Sequence, residues 1–184
     1  MLRINKDKII VLDIETTGLP SDFRGESGLE HEILQLAFLN GTGSILINER
    51  FRPMKKKVWA EAQIVHGIAP KDVQNKSTIT DYISGIQTLV DSSELIVAYN
   101  LQFDLLFLQA VGISFSGKYY YDVMIEFARK HGKSRGYRFG KFVPLRECAS
   151  YYGYNLTDAH DAEEDARATL HCFLNMQGEG ALDG

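Results

Sequence analysis

Between residues 8 and 14 the chain runs apolar without alternation, with Ile9, Ile10, Val11 and Leu12 in succession, which fits a strand buried on both faces in the middle of a sheet. Two more strand-like segments follow at 32–39 and 44–51, divided by Asn40-Gly41-Thr42-Gly43, whose glycines suit a hairpin and pair the two strands antiparallel. The stretch 18–31 is rich in Gly, Pro, Ser and Asp and predicts an exposed loop near the end of the first strand. Beyond Pro53 the apolar spacing turns helical, with helices predicted at 58–65, 78–90, 101–111, 123–130, 144–152 and 163–176. Short strands at 94–99 and 119–121 interrupt them, each leading directly into a helix, which is the alternation of a parallel sheet region. A hairpin joined to such units makes a mixed five-stranded α/β sheet flanked by helices. One domain is predicted over 1–176, followed by a glycine-rich tail at 177–184 that is expected to fray.

Composition narrows the classes. The chain of 184 residues is 45% hydrophobic and 24% charged, as in ordinary soluble domains, and no apolar run nears the roughly 20 residues that cross a bilayer. The N-terminal segment lacks the long apolar stretch and small-residue cleavage site of a signal peptide, so a cytoplasmic location without a membrane partner is expected. Cys148 and Cys172 fall in separate predicted helices without metal-ligand spacing and read as buried thiols. A net charge of −4 argues against a protein that coats nucleic acid through a general basic surface. It leaves room for a local phosphate site whose positive charge comes from bound cations.

The acids carry the chemistry. Asp13 and Glu15 stand two residues apart at the end of the first strand, so alternation points both carboxylates to one face and Ile14 to the other. Such a pair repels itself unless a cation sits between, although a D-x-E alone also fits a solvated strand terminus. Asp104 follows another strand, with Asn100 placed to cap the helix and Asp104 in its first turn, where the helix dipole favours negative charge. Acids at the ends of neighbouring parallel strands converge on one sheet edge, the usual ligand site of open α/β sheets. A third group, His160-Asp161-Ala162-Glu163-Glu164-Asp165, runs into the last helix. There Asp161 and Glu164 have N-cap and capping-box spacing, Asp165 lies one turn in, and His160 precedes the helix start.

Together Asp13-Ile14-Glu15-Thr16-Thr17-Gly18, Asn100-Leu101-Gln102-Phe103-Asp104 and His160-Asp161-Ala162-Glu163-Glu164-Asp165 resemble the three motifs of the DEDDh (DnaQ-like) 3'-5' exonucleases, the family of the proofreading epsilon subunit of bacterial DNA polymerase III. The resemblance spans residues 9 to about 173 and implies a ribonuclease H-like fold. Histidine five residues before the last Asp, with Asp161 where the sister branch has Tyr, marks the histidine branch. It implies two Mg²⁺ or Mn²⁺ ions held by Asp13, Glu15, Asp104 and Asp165, since hard carboxylate oxygens suit hard cations, with His160 as general base. The implied reaction removes nucleotides from the 3' end of a strand, DNA favoured over RNA, with a DNA polymerase as a candidate partner. The rival readings are an exoribonuclease or oligoribonuclease and a non-catalytic nucleic-acid-binding module on the same fold.

Other positions carry weaker expectations. Thr16, Thr17 and Gly18 form the turn that in the resembled family holds the terminal nucleotide, and Asn100 and His66, the latter in an H-G-I segment, are further substrate-binding candidates. Tyr99 stands where His is common and shapes the site wall, while Asp122 reads as a helix cap. Arg129, Lys130, Lys133, Arg135, Arg138 and Lys141, with Tyr137, Phe139 and Phe142 among them, suit either a single strand or a solvated basic loop. Lys55-Lys56-Lys57 reads as a solvated turn.

Overall fold

In a computed structural model, which describes residues 5–20, 29–131, 143–157 and 159–182, the chain runs in the order β1 (Ile9–Thr16), β2 (Ile33–Asn40), β3 (Ile45–Arg50), α1 (Ala60–His66), α2 (Pro70–Val73), α3 (Ile83–Ser92), β4 (Leu95–Ala98), α4 (Leu101–Ala110), β5 (Tyr119–Asp122), α5 (Val123–His131), α6 (Leu145–Tyr151) and α7 (Ala162–Leu182). The sheet order is β3-β2-β1-β4-β5. The three first strands pair antiparallel and β4 and β5 join parallel to β1, as the hairpin and the strand-helix units predict. Asn40 makes the hairpin turn: its side-chain oxygen accepts the N–H groups of Thr42 and Ser44 at 3.0 and 2.9 Å.

Two apolar layers cover the sheet. Ile10, Leu12 and Ile14 pack with Phe38, Ile86, Phe107 and Leu108 on one face, while Ile9 and Val11 pack with Phe127, Cys148, Ala166 and Phe173 on the other. This is why β1 reads apolar on both parities: each parity meets its own helical layer. Both cysteines are buried, and neither forms a disulfide.

The structure departs from the pattern in three places. The segment expected as a helix at 78–90 begins as a 3-10 turn, Ile79–Tyr82, before α3. The short helix α2, opened by Pro70 with the Asp72 carboxylate accepting Ala69 N–H at 2.8 Å, is one turn long and too short to show periodicity. Helix α7 continues to Leu182 instead of stopping at Met176, because extending an existing helix needs no new nucleation. Lys133, Arg135, Arg138 and Lys141 with their aromatic neighbours, and much of the 18–31 loop, lie outside the described residues. Among the described residues no helix is long and apolar enough to cross a membrane.

Candidate active site

The register of β1 sets the first two acids. Asp13 and Glu15 share the parity of Ile9 and Val11 and so face the α5–α7 layer. Glu15 pairs with Gln35 across β2, and the register shifts between Glu15 and Thr16, a bulge that turns the chain as it leaves the sheet. Next to β1, strand β4 ends at Ala98 and the chain enters α4 through Asn100 in the left-handed conformation, φ 63° and ψ 52°. This brings Asp104, in the first turn of α4, to the same edge, almost fully buried.

The capping of α4 differs from expectation. Asn100 occupies the N-cap position but makes no side-chain cap bond. Asp122 does that work from the end of β5: one oxygen accepts Leu101 N–H at 2.9 Å and the other accepts Ile125 N–H at 3.0 Å, so one carboxylate caps both α4 and α5. The expected helix-capping role of Asp122 is present, doubled. Asn100 is left at the cavity wall in a backbone region that Asn tolerates better than most residues.

Helix α7 delivers the third group. Asp161 accepts the N–H groups of Glu163 and Glu164 at 3.1 and 3.4 Å and caps the helix. Glu164 does not complete a capping box with it, because its carboxylate turns to the Tyr154 hydroxyl at 3.0 Å. The other oxygen of Asp161 accepts from the buried Gln35 amide at 3.1 Å, and that amide also donates to Asn48. Asn48 donates to Glu163 at 2.6 Å, so the start of α7 is fastened to β2 and β3 by a chain of hydrogen bonds. His160, exposed and at φ 72°, donates its backbone N–H to Asp165 at 3.1 Å.

All ten residues read from the sequence as catalytic, metal-binding or substrate-binding line one cavity of about 950 Å³: Asp13, Glu15, Thr16, Thr17, Gly18, His66, Asn100, Asp104, His160 and Asp165. Within it, Glu15, His160 and Asp165 each offer a ligand atom, and those atoms lie within 4.8 Å of one another. Burial, then the charges of Asp104, Asp165 and Glu15, hold the Asp13 carboxyl well above the ordinary carboxylate range. Burial also raises Asp104. Glu15 is pushed up to about 9 by burial and then by Asp165 and Asp104, and Asp165 to about 6 by burial, against the His160 N–H that favours its charged form. His66 and the partly covered ring of His160 are both lowered, chiefly because part of each ring is shielded from water.

Four acids that oppose one another's ionisation form a poor site for anything but cations. One oxygen of Asp165, Oδ1, is buried without a hydrogen-bond partner among the described residues, as a ligand atom awaiting a metal would be. These residues therefore fit hard divalent cations.

The turn after β1 is braced. Thr16 donates its hydroxyl to Gly18 C=O at 2.8 Å, and the Thr17 hydroxyl accepts Glu32 N–H at 3.0 Å. His66 accepts Ile68 N–H on Nδ1 at 3.0 Å, which leaves Nε2 to donate to Thr16 C=O at 3.1 Å. Both nitrogens of that ring are thus engaged inside the protein, tying α1 to the turn.

Several lining residues carry no signal in the sequence. The His31 ring lies so close over Gly18 that a Cβ there would overlap it. Leu19 and Val58, 73% and 76% exposed, make with Val65 an apolar rim. Lys56, expected on a solvated turn, lines the cavity instead. Tyr99 belongs to the wall as expected, its hydroxyl donating to Val143 C=O at 2.6 Å.

Comparison with known proteins agrees with the geometry. The family described as exonuclease matches residues 10–173. The DNA polymerase III subunit epsilon of Buchnera aphidicola subsp. Schizaphis graminum is 30% identical over 112 residues, 56% of this chain and 45% of that protein, so the match spans less than half of that relative. Among solved structures, Exonuclease X in complex with 5' overhanging duplex DNA superposes with a TM-score of 0.69 at 19% identity, over 94% of this chain and 93% of that one. Cell-death related nuclease 4 gives 0.71 at 16% identity, over 95% and 64%. The Saccharomyces cerevisiae Pan2 pseudoubiquitin hydrolase-RNA exonuclease module in complex with AAGGA RNA gives 0.68 at 15% identity, over 93% and 29%.

Proposed function

The chain belongs to the exonuclease family, and from that premise we propose that it removes mononucleotides from the 3' end of a nucleic-acid strand, DNA in preference to RNA, by hydrolysis at two divalent cations. The observation that carries the reading is the convergence of Asp13, Glu15, Asp104, Asp165 and His160 on one cavity from three separate parts of the chain. Asp13, Glu15, Asp104 and Asp165 would hold Mg²⁺ or Mn²⁺, which acidifies water and offsets charge on the phosphate oxygens.

The protein's own groups do the rest. His160, lowered below its ordinary 6.5 by burial and by Arg146, is neutral near physiological pH and free to take a proton. In the proposed step the water oxygen bonds to phosphorus and its proton passes to His160. The bond from phosphorus to the 3' oxygen of the preceding nucleotide breaks, and a solvent proton completes that hydroxyl. The Thr16-Thr17-Gly18 turn, fixed by His66 and Glu32, would orient the terminal nucleotide, and the apolar rim of Leu19, Val58 and Val65 offers surface for bases. Asn100 stands on the same wall and is proposed as a further substrate contact. Association with a DNA polymerase is proposed on the strength of the Buchnera relative.

Digestion of 3'-labelled and 5'-labelled single strands, DNA and RNA in parallel, with Mg²⁺, Mn²⁺ or EDTA, tests the proposal. Stepwise shortening from the 3' end that requires metal and is faster on DNA is expected. Metal-independent cleavage or shortening from the 5' end defeats it, and faster RNA turnover assigns the activity to exoribonucleases.

A further inference from the structure

Among the described residues that line the cavity, Lys56 is the one lysine or arginine. Its backbone is fixed by an unusual anchor. The Glu32 carboxylate accepts the N–H groups of Met54, Lys55 and Lys56 at 2.7, 2.9 and 2.8 Å, three charge-assisted bonds from consecutive residues. The backbone of Glu32 also holds Thr17, accepting its N–H at 2.8 Å and donating to its hydroxyl at 3.0 Å. One residue therefore sets both the turn that carries Lys56 and the turn proposed to hold the terminal nucleotide. Among the described residues no ion pair engages the Lys56 ammonium, although acids crowd the cavity floor.

Bound cations would answer the charge of the phosphate being cut. To the further phosphates of a strand, the exposed lining residues Leu19, Val58 and Val65 offer apolar contact and no counter-charge. We infer that Lys56 binds a phosphodiester of the substrate strand outside the cation site, at a distance from the Thr17 turn that Glu32 sets. This rests on the exonuclease reading, so its test separates binding from cleavage.

Anisotropy of a fluorescent single strand, titrated with wild-type protein, Lys56→Ala and Lys56→Arg in Ca²⁺ over a range of salt, measures the contact without turnover. Lys56→Ala is expected to weaken strand binding about tenfold and to lower the slope of log K against log salt by about 0.7, the share of one phosphate on a single strand. Lys56→Arg restores both, and competition by a free 5'-mononucleotide is the same for all three proteins. Unchanged affinity and slope in Lys56→Ala overturn the inference. So does a parallel loss of mononucleotide affinity, which would put the ammonium on the terminal nucleotide. If wild-type protein binds the strand with this Lys56 dependence but leaves it intact in Mg²⁺ and Mn²⁺, the exonuclease reading fails and the Lys56 contact stands.

Discussion

The backbone N–H of His160 donates to Oδ2 of Asp165 across 3.1 Å, so the proposed base and the proposed last metal ligand are tied by one hydrogen bond at the start of α7. The bond occupies one oxygen of Asp165 and leaves Oδ1, buried and unpartnered among the described residues, as the atom free to meet a cation.

Replacing His160 should therefore separate proton transfer from metal binding. His160→Ala is expected to lower hydrolysis by about a hundredfold or more, the usual range for a lost general base. Its backbone N–H still reaches Asp165, so the rise in melting temperature on adding Mn²⁺ should persist. Initial rates and thermal melts on the same preparation check both halves, and full activity in the variant refutes the base assignment.

Asp165→Asn should abolish nearly all turnover, by more than about a hundredfold, yet fold at least as well as wild type without metal. The asparagine keeps the shape and removes a buried charge that neighbouring acids oppose. Circular dichroism melts in EDTA provide the measurement, and a markedly less stable variant would contradict the repulsion described for the cavity.

The same repulsion sets a pH dependence in the absence of metal. Glu15 rises from its ordinary 4.5 to about 9 in the folded protein, so the folded state holds protons that the unfolded state has released. The associated stability is complete below about pH 4.5 and is lost as pH climbs through about 9. Asp165, raised to about 6, adds a loss in the lower part of that window. Above about pH 7, where the lowered His160 and His66 no longer add an opposing rise, the melting temperature in EDTA should fall toward pH 9, and saturating Mg²⁺ or Mn²⁺ should flatten the fall by replacing protons with cations. A flat or rising profile in EDTA would count against it.

Gln35→Ala should cost about 1–2 kcal/mol of stability, because it removes the buried amide that donates to both Asn48 and Asp161, two half-buried acceptors. Chemical denaturation gives the figure. Activity should fall together with stability, as the start of α7 loses its fastening to β2, and a neutral substitution would mean that Asn48 alone holds the helix.

Much of this was legible in the residues. The unbroken apolar run of β1 and the two-residue spacing of Asp13 and Glu15 depend only on local alternation, which a sheet centre enforces. Their meeting with Asp104 and Asp165 spans most of the chain, and the motif order, more than any pattern, pointed to it. What escaped were contacts made by side chains from other elements. Asp122 caps the start of α4 where Asn100 is the expected cap, Gln35 reads as one polar residue in an apolar strand, and the backbone of Lys56 is fixed by a glutamate 24 residues earlier. Neither propensity nor spacing records such partners.

Strand β1 lies between β2 and β4, with an apolar layer on each face. A slip of one residue would drive both carboxylates into the Phe38–Ile86 layer, so neither acid can be shifted by small adjustments of the strand. Changes meant to alter substrate choice belong at the entrance, where Leu19, Lys56 and Val58 stand outside the sheet and away from the register that fixes the acids.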